Sequence, residues 1–158
     1  MYRIGTGYDA HRFSPDRPLI LGGVKIPFTL GLLGHSDADV LSHTITDALL
    51  GAVALGSIGH HFPDTDPQYK NADSIVLLQK AYALVIDTGY EIVNIDATLI
   101  AQEPKLNPFL NAIRERLAKA LSLSIDQVSV KATTTEKMGP EGRLEGMSAQ
   151  ASVLVKKR

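Results

Sequence analysis

The amino-acid sequence predicts an α/β fold, a mixed β-sheet with helices packed on one face, as one domain over residues 1–158. Three observations carry that reading. Segments rich in alternating β-branched residues are separated by segments whose apolar residues recur three and four apart, so strands and helices take turns along the chain. A chain of 158 residues is one ordinary domain, long enough to bury roughly two thirds of its unfolded surface without staples. Hydrophobic residues make up 44% and charged residues 21%, the balance of a globular protein, and no repeat, linker or low-complexity segment interrupts it.

Residues 2–13 read as the first strand, in which Gly5 and Gly7 allow close backbone approach. Arg17-Pro18 and Gly22-Gly23 then punctuate two short extended pieces, residues 19–21 and 24–26, in a hairpin-like arrangement. Residues 31–34 read as a flexible lead into His35-Ser36. From about residue 37 to 55 the pattern is helical and apolar nearly all round, through Val40, Leu41, Ile45, Leu49, Ala52 and Val53, which predicts a central, buried helix. Residues 56–71 carry Gly, Pro and Asp without periodicity and read as a long loop, a kind of segment that is commonly functional. Residues 73–88 form an amphipathic helix closed by Gly89. A strand over residues 91–102 follows. The next helix takes Asn107 as its cap and Pro108 in its first turn, and buries Leu110, Ile113, Leu117 and Leu121. Residues 126–134 and 147–155 complete the strands.

Composition excludes several classes. A formal net charge of −1 supplies no general field for nucleic acid. The absence of cysteine rules out disulfides and thiolate ligands, so any metal here has nitrogen and oxygen donors. No run approaches the ~18 apolar residues of a membrane span. The first residues lack a secretory or transit pattern, so a cytoplasmic protein is expected, and the Lys156-Lys157-Arg158 end reads as solvated.

The chemistry is expected in Gly7-Tyr8-Asp9-Ala10-His11 together with His43. In an extended strand Asp9 and His11 project from one face about 7 Å apart. His43 follows a helix-start signal, Ser36-Asp37-Ala38-Asp39, and is expected about two turns into a helix packed on that strand. One carboxylate and two imidazoles suit Zn²⁺, and three protein ligands leave a fourth position open. Asp39 and Asp47 flank His43 at i−4 and i+4. Asp47 is placed to take the second N–H of a ligand histidine, whereas Asp39 either does the same or only completes a Ser-x-x-Asp capping box with Ser36. Asp64 and Asp66 bind hydroxyls or simply form turns. The adjacent pair His60-His61 diverges on any regular element and is not counted as a joint ligand. Thr133-Thr134-Thr135-Glu136-Lys137, followed by Gly139, Gly142 and Gly146, offers a phosphate cradle with a carboxylate for a second, harder cation. It serves equally as a β-rich run before a glycine loop.

Taken together, Gly7 to His11, Gly34 to Asp39 with His43, Phe62 to Asp66, Ala101 to Lys105 and Lys131 to Lys137 resemble the 2-C-methyl-D-erythritol 2,4-cyclodiphosphate synthase family. The match covers nearly the whole chain. The resemblance implies a homotrimer with active sites between neighbouring subunits, acting in the non-mevalonate route to isoprenoid precursors. The reaction implied is a phosphorus–oxygen lyase step: 4-diphosphocytidyl-2-C-methyl-D-erythritol 2-phosphate cyclises to the 2,4-cyclodiphosphate and releases CMP. By motif, Asp9, His11 and His43 are similar to the Zn²⁺ ligands, and Glu136 to the contact for a Mg²⁺ or Mn²⁺ on the α- and β-phosphates. His35 and Ser36 would bind the 2-phosphate end, with His35 and Thr134 stabilising the transition state.

The same resemblance sets the other contacts. Asp64 and Asp66 would hold the erythritol hydroxyls, with Ala10, Ser57, Ile58, Gly59, Phe62, Pro63 and Thr65 around that end of the substrate. Ala101, Gln102, Glu103, Pro104, Lys105, Leu106 and Asn107, with Thr133, Thr134 and Thr135, would form the cytidine pocket, and Arg143 a further substrate contact. Two departures stand out. Ser57 replaces a usual Asp, and Pro140 falls where a bulky or aromatic residue is common, so a contact there would come from backbone. The chemistry implied brings two anions together, and even single charges repel by about 4 kcal/mol at 4 Å for an effective dielectric of 20. Two other readings remain open from the residues: a metal-dependent phosphohydrolase, and a metal-stabilised binding module that buries apolar strand faces in an oligomer.

Overall fold

Two long strands from opposite ends of the chain make the centre of the sheet. β1 (Tyr2–Ser14) and β7 (Gly146–Lys157) pair antiparallel from Tyr2 opposite Lys156 to Arg12 opposite Gly146 in the computed structural model, which describes residues 1–158. β4 (Gly31–Leu32) closes the far side of β1, while β5 (Tyr90–Ile100) pairs antiparallel with β7 and parallel with β6 (Val128–Thr133). The order is β4-β1-β7-β5-β6, a mixed sheet as predicted. The one parallel pair needs a crossover, and α4 (Leu110–Leu121) supplies it. β2 (Leu19–Leu21) and β3 (Val24–Ile26) form a separate hairpin turned by Gly22 and Gly23 at φ +56° and +74°, left-handed values that glycine adopts freely.

The helices lie on the face that carries the sheet's buried apolar residues. Ile95, Ala97, Leu99, Val128, Ala149, Val153 and Val155 are buried at alternating positions, against α1 (Val40–Ala52), α3 (Ser74–Asp87) and α4. α1 is the central element predicted, with Leu41, Ile45 and Leu49 fully buried. Its approach to β1 depends on Gly5 and Gly7. A Cβ at Gly5 would lie 1.9 Å from the Ala48 carbonyl oxygen, and one at Gly7 would lie 2.0 Å from that of Thr44. No side chain fits in that gap. No helix is long and apolar enough to cross a membrane.

Several boundaries differ from those predicted, each for a local reason. α1 starts at Val40 because Asp39 is itself the cap, accepting from the Ser42 amide, so His43 stands one turn into the helix and not two. Residues 31–32 are paired strand, and the Leu33 amide continues the link to the Arg12 carbonyl. The loop over residues 56–71 is folded locally into α2 (Ile58–His61) and a 3₁₀ turn at Pro67–Tyr69. Asn107 opens a 3₁₀ turn and not α4 directly. After β6 a further short helix, α5 (Gly139–Gly142), precedes β7.

Candidate metal and substrate site

Asp9 and His11 leave the same face of β1 as Gly5 and Gly7, the face on which α1 lies, so the close glycine contact is what brings His43 to them. His11 Nε2 is 2.9 Å from Asp9 Oδ2 and 3.1 Å from His43 Nδ1, and His43 Nδ1 is 3.2 Å from the same Asp9 oxygen. One donor atom from each residue lies within 4.8 Å of the others, an arrangement that could hold a metal ion. The chemistry of the set fits a borderline cation such as Zn²⁺: two imidazole nitrogens, one carboxylate oxygen, and all three side chains still partly open to a cavity. His11 is oriented from behind. The Leu33 carbonyl only accepts, at 2.9 Å, so Nδ1 carries the proton and Nε2 turns its lone pair to the cluster.

Electrostatics favours positive charge at this point. Burial opposes ionisation of Asp9, but the close imidazoles of His11 and His43 and the positive charge they can carry outweigh it and hold the carboxyl well below its ordinary 3.8. Burial likewise disfavours protonated His11, yet the hydrogen bond and charge of Asp9 raise it above 6.5. A carboxylate that stays ionised so readily is a ready cation ligand.

Neither carboxylate expected to support a histidine does so. Asp39 is fully buried and accepts four hydrogen bonds, from the Gly22, Gly23 and Ser42 amides and the Ser42 hydroxyl, so it ties the β2–β3 turn to the start of α1. It forms no capping box with Ser36. Asp47 accepts from the Ile58 amide at 2.6 Å and so anchors α2; burial raises its pKa against that hydrogen bond. The second nitrogen of His43 faces two hydroxyls instead, Ser74 at 2.7 Å and Ser36 at 3.0 Å. Ser74, Asp37 behind it and Arg17, which donates to the Gly34 and Ser36 carbonyls, support the site without any signal in their sequence spacing.

The triad opens on a cavity of about 370 Å³ that His35, Ser36, Ile58, Gly59, Phe62 and Asp64 also line, with Tyr69 and Leu77 added by the structure. Asp66 is turned to local work: its carboxylate accepts from the Gln68 amide and side chain, and those bonds lower its pKa. Its carbonyl meets His35 Nε2 at 3.1 Å. Ser57, Pro63 and Thr65 belong to the same segment but do not line the cavity, and Ser57 caps α2 without a side-chain bond. A separate cavity of about 460 Å³ is lined by Ala101, Gln102, Pro104, Lys105, Leu106, Asn107, Thr133 and Thr134. Its two walls are joined by Ala101 N–H to the Thr133 carbonyl and Lys137 N–H to Gln102 Oε1, both 3.0 Å.

The remaining residues lie around that second cavity and beyond it. Glu103 and Thr135 flank it in sequence, and Glu136 follows at φ +53° and is not one of the three clustered residues. Ala10 and Pro140 line a third hollow with Tyr8 and Arg12, and Arg143 is paired with Glu145 at 2.7 Å on the surface.

The fold and the cluster together define an α/β protein with an open nitrogen and oxygen triad on one cavity and a second, separate cavity across the sheet. The chain belongs to the YgbB family, whose model matches residues 2–156. It is 58% identical over 158 residues to a 2-C-methyl-D-erythritol 2,4-cyclodiphosphate synthase of Bacillus cytotoxicus, covering 100% of both chains. Among solved structures it is similar to the bifunctional IspDF of Campylobacter jejuni, with a TM-score of 0.97 and 49% identity over 100% of this chain. The chain spans 43% of that bifunctional protein's length. It is also similar to a CDP complex of Plasmodium falciparum IspF, with a TM-score of 0.87 and 35% identity, covering 99% of this chain and 97% of that one. The resemblance of the motifs is borne out at the level of the family.

Proposed function

We propose that the chain acts as a 2-C-methyl-D-erythritol 2,4-cyclodiphosphate synthase. It closes 4-diphosphocytidyl-2-C-methyl-D-erythritol 2-phosphate into the cyclic diphosphate and releases CMP in the non-mevalonate isoprenoid route, as a cytoplasmic phosphorus–oxygen lyase. The observation that carries this reading is the convergence of Asp9, His11 and His43 at a substrate-sized cavity, in a chain 58% identical to a synthase along its whole length.

Asp9, His11 and His43 would hold Zn²⁺, and Glu136 would contact Mg²⁺ or Mn²⁺ on the substrate phosphates. Cations so bound supply Lewis acidity and charge neutralisation to the diphosphate. The protein's part is positioning. His35 and Ser36, which line the triad cavity, bind the 2-phosphate end and aim its oxygen at the β-phosphorus. Ile58 and Phe62 cover that end and exclude water, and Asp64 receives a hydroxyl. The loop over residues 101–107 holds the cytidine, and Thr134, whose hydroxyl accepts the Glu136 amide, stabilises charge on the transferring phosphorus. The attacking phosphate is already ionised near neutral pH, so no general base is required.

One copy does not bring these parts together. The two cavities share no lining residue, and β7 and β5 separate β1 from β6, a span of about 14 Å at the usual strand spacing. The sheet face without helices leaves Tyr2 66%, Ile4 68% and Tyr8 58% exposed on β1. Such a patch supports assembly. In a closed trimer the cytidine cavity of one copy would adjoin the triad of the next, completing a site between subunits.

The test is ³¹P NMR of the diphosphocytidyl substrate with protein, Zn²⁺ and Mg²⁺ in ¹⁸O-labelled water. The expected result is CMP and an unlabelled cyclic diphosphate. Label in the product would mean hydrolysis and overturn the reading. Light scattering is expected to give three times the chain mass.

A further inference from the structure

We propose that Ser74 and Asp37 are positioning residues for the metal centre: they fix the His43 ring with its proton on Nε2, leaving the Nδ1 lone pair aimed at Asp9 and His11. The inference rests on the reading that those three residues hold a metal ion. It follows from counting protons. The Ser74 hydroxyl has one, and the Asp37 carboxylate, an acceptor only, takes it on Oδ1 at 2.5 Å while its Oδ2 accepts the Ser74 amide at 3.0 Å. The oxygen of Ser74 can then only accept from His43 Nε2, 2.7 Å away. With Nε2 committed as donor, the neutral ring presents Nδ1 as a ligand.

The arrangement is a carboxylate–histidine–metal relay with a hydroxyl interposed, and such outer partners raise ligand basicity and lock ring orientation. Ser74 is fully buried. Capping does not explain it, since Asp73 already caps α3 by accepting the Ile75 amide. Ser36 is the competing acceptor, but its oxygen is farther, at 3.0 Å, and already accepts the Ala38 amide at 3.3 Å. Asp37 is fixed from both sides: its amide donates to the Ala72 carbonyl at 3.1 Å, and its Oδ1 also accepts the Asp39 amide at 3.1 Å. The relay therefore ties the first turn of α1, which carries a ligand, to the first residue of α3.

The experiment is chelator competition for Zn²⁺ on the full chain, read beside the visible spectrum of the Co²⁺-loaded protein and its thermal melting. Ser74→Ala is expected to bind Zn²⁺ about 10–100-fold more weakly and to change the Co²⁺ spectrum. Ser74→Thr, which keeps the hydroxyl, is expected to retain both. Asp37→Asn is expected to weaken binding, because an amide cannot accept from Ser74 on both atoms. Wild-type affinity and spectrum in Ser74→Ala would overturn the inference, as would a loss seen only in Ser36→Ala. If Ser74→Ala melts out, loss of both readouts in Ser74→Thr while it stays folded would also overturn it. A wild-type chain that binds no Zn²⁺ would overturn the metal reading itself and the inference with it.

Discussion

The triad and the separate cavity lined by residues 101–108 and 132–134 are built on opposite plans. Asp9, His11 and His43 are backed by buried structure: helix α1 pressed on glycine, the Asp39 carboxylate saturated with donors, Leu33 and Ser74 behind the two imidazoles. The other cavity is framed by exposed turns, with Glu136 and Lys137 at positive φ and two cross-links between its walls. A point ligand such as a cation tolerates errors of only about 0.2 Å in donor position. A nucleoside is read by shape and backbone, which adjust on binding. Rigidity is spent where the ligand is smallest.

Changes behind the triad should therefore cost more than changes at the cavity walls. Gly7→Ala is expected to be the most damaging. Its Cβ would meet the Thr44 carbonyl at 2.0 Å, a backbone atom next to His43, so α1 must shift, with a loss of about 3 kcal/mol in denaturant unfolding and loss of bound metal. Asp39→Asn comes next, at about 2 kcal/mol by the same measurement, because an amide nitrogen would face donors that the carboxylate now accepts.

The metal-free triad should also carry a pH signature. Asp9 is depressed below 3.8, so its contribution is present above that pH and lost as pH falls through its folded value. His11 is raised above 6.5, so its contribution is complete below 6.5 and lost as pH rises through its folded value. The pair therefore supports the metal-free fold best between these limits, and urea titrations in chelator should decline on the alkaline side of 6.5. Asp9→Asn should flatten that profile. At the other cavity, Gln102→Ala removes one exposed bond to the Lys137 amide and should cost about 1 kcal/mol or less, with a rise in KM more than a fall in kcat. Lys131→Ala, which breaks the exposed pair with Asp96, should cost at most about 0.5 kcal/mol and leave metal binding unchanged.

Much of this is legible in the sequence, and the part that is not has two physical causes, contacts between distant segments and an element too short to show a period. Alternation put Asp9 and His11 on one face, and a helix signal placed His43 on the element above, because both patterns run along a single element. The roles of Asp39 and Asp47 were misread for the same reason. Helical spacing put them beside His43, but their donors come from the β2–β3 turn and from α2, segments that no periodicity connects to α1. Ser74 lies 31 residues from the histidine it supports. The pairing of β4 was hidden in a short glycine-flanked piece, since two residues are too few to show a period.

The most direct test is a calorimetric titration of Zn²⁺ into the chain and into His43→Ala, with folding of both checked by circular dichroism. Convergence of the three side chains on one cation predicts a single site per chain that weakens as pH falls through the raised pKa of His11 and is abolished in the variant. A folded His43→Ala that binds Zn²⁺ as the parent does would contradict it.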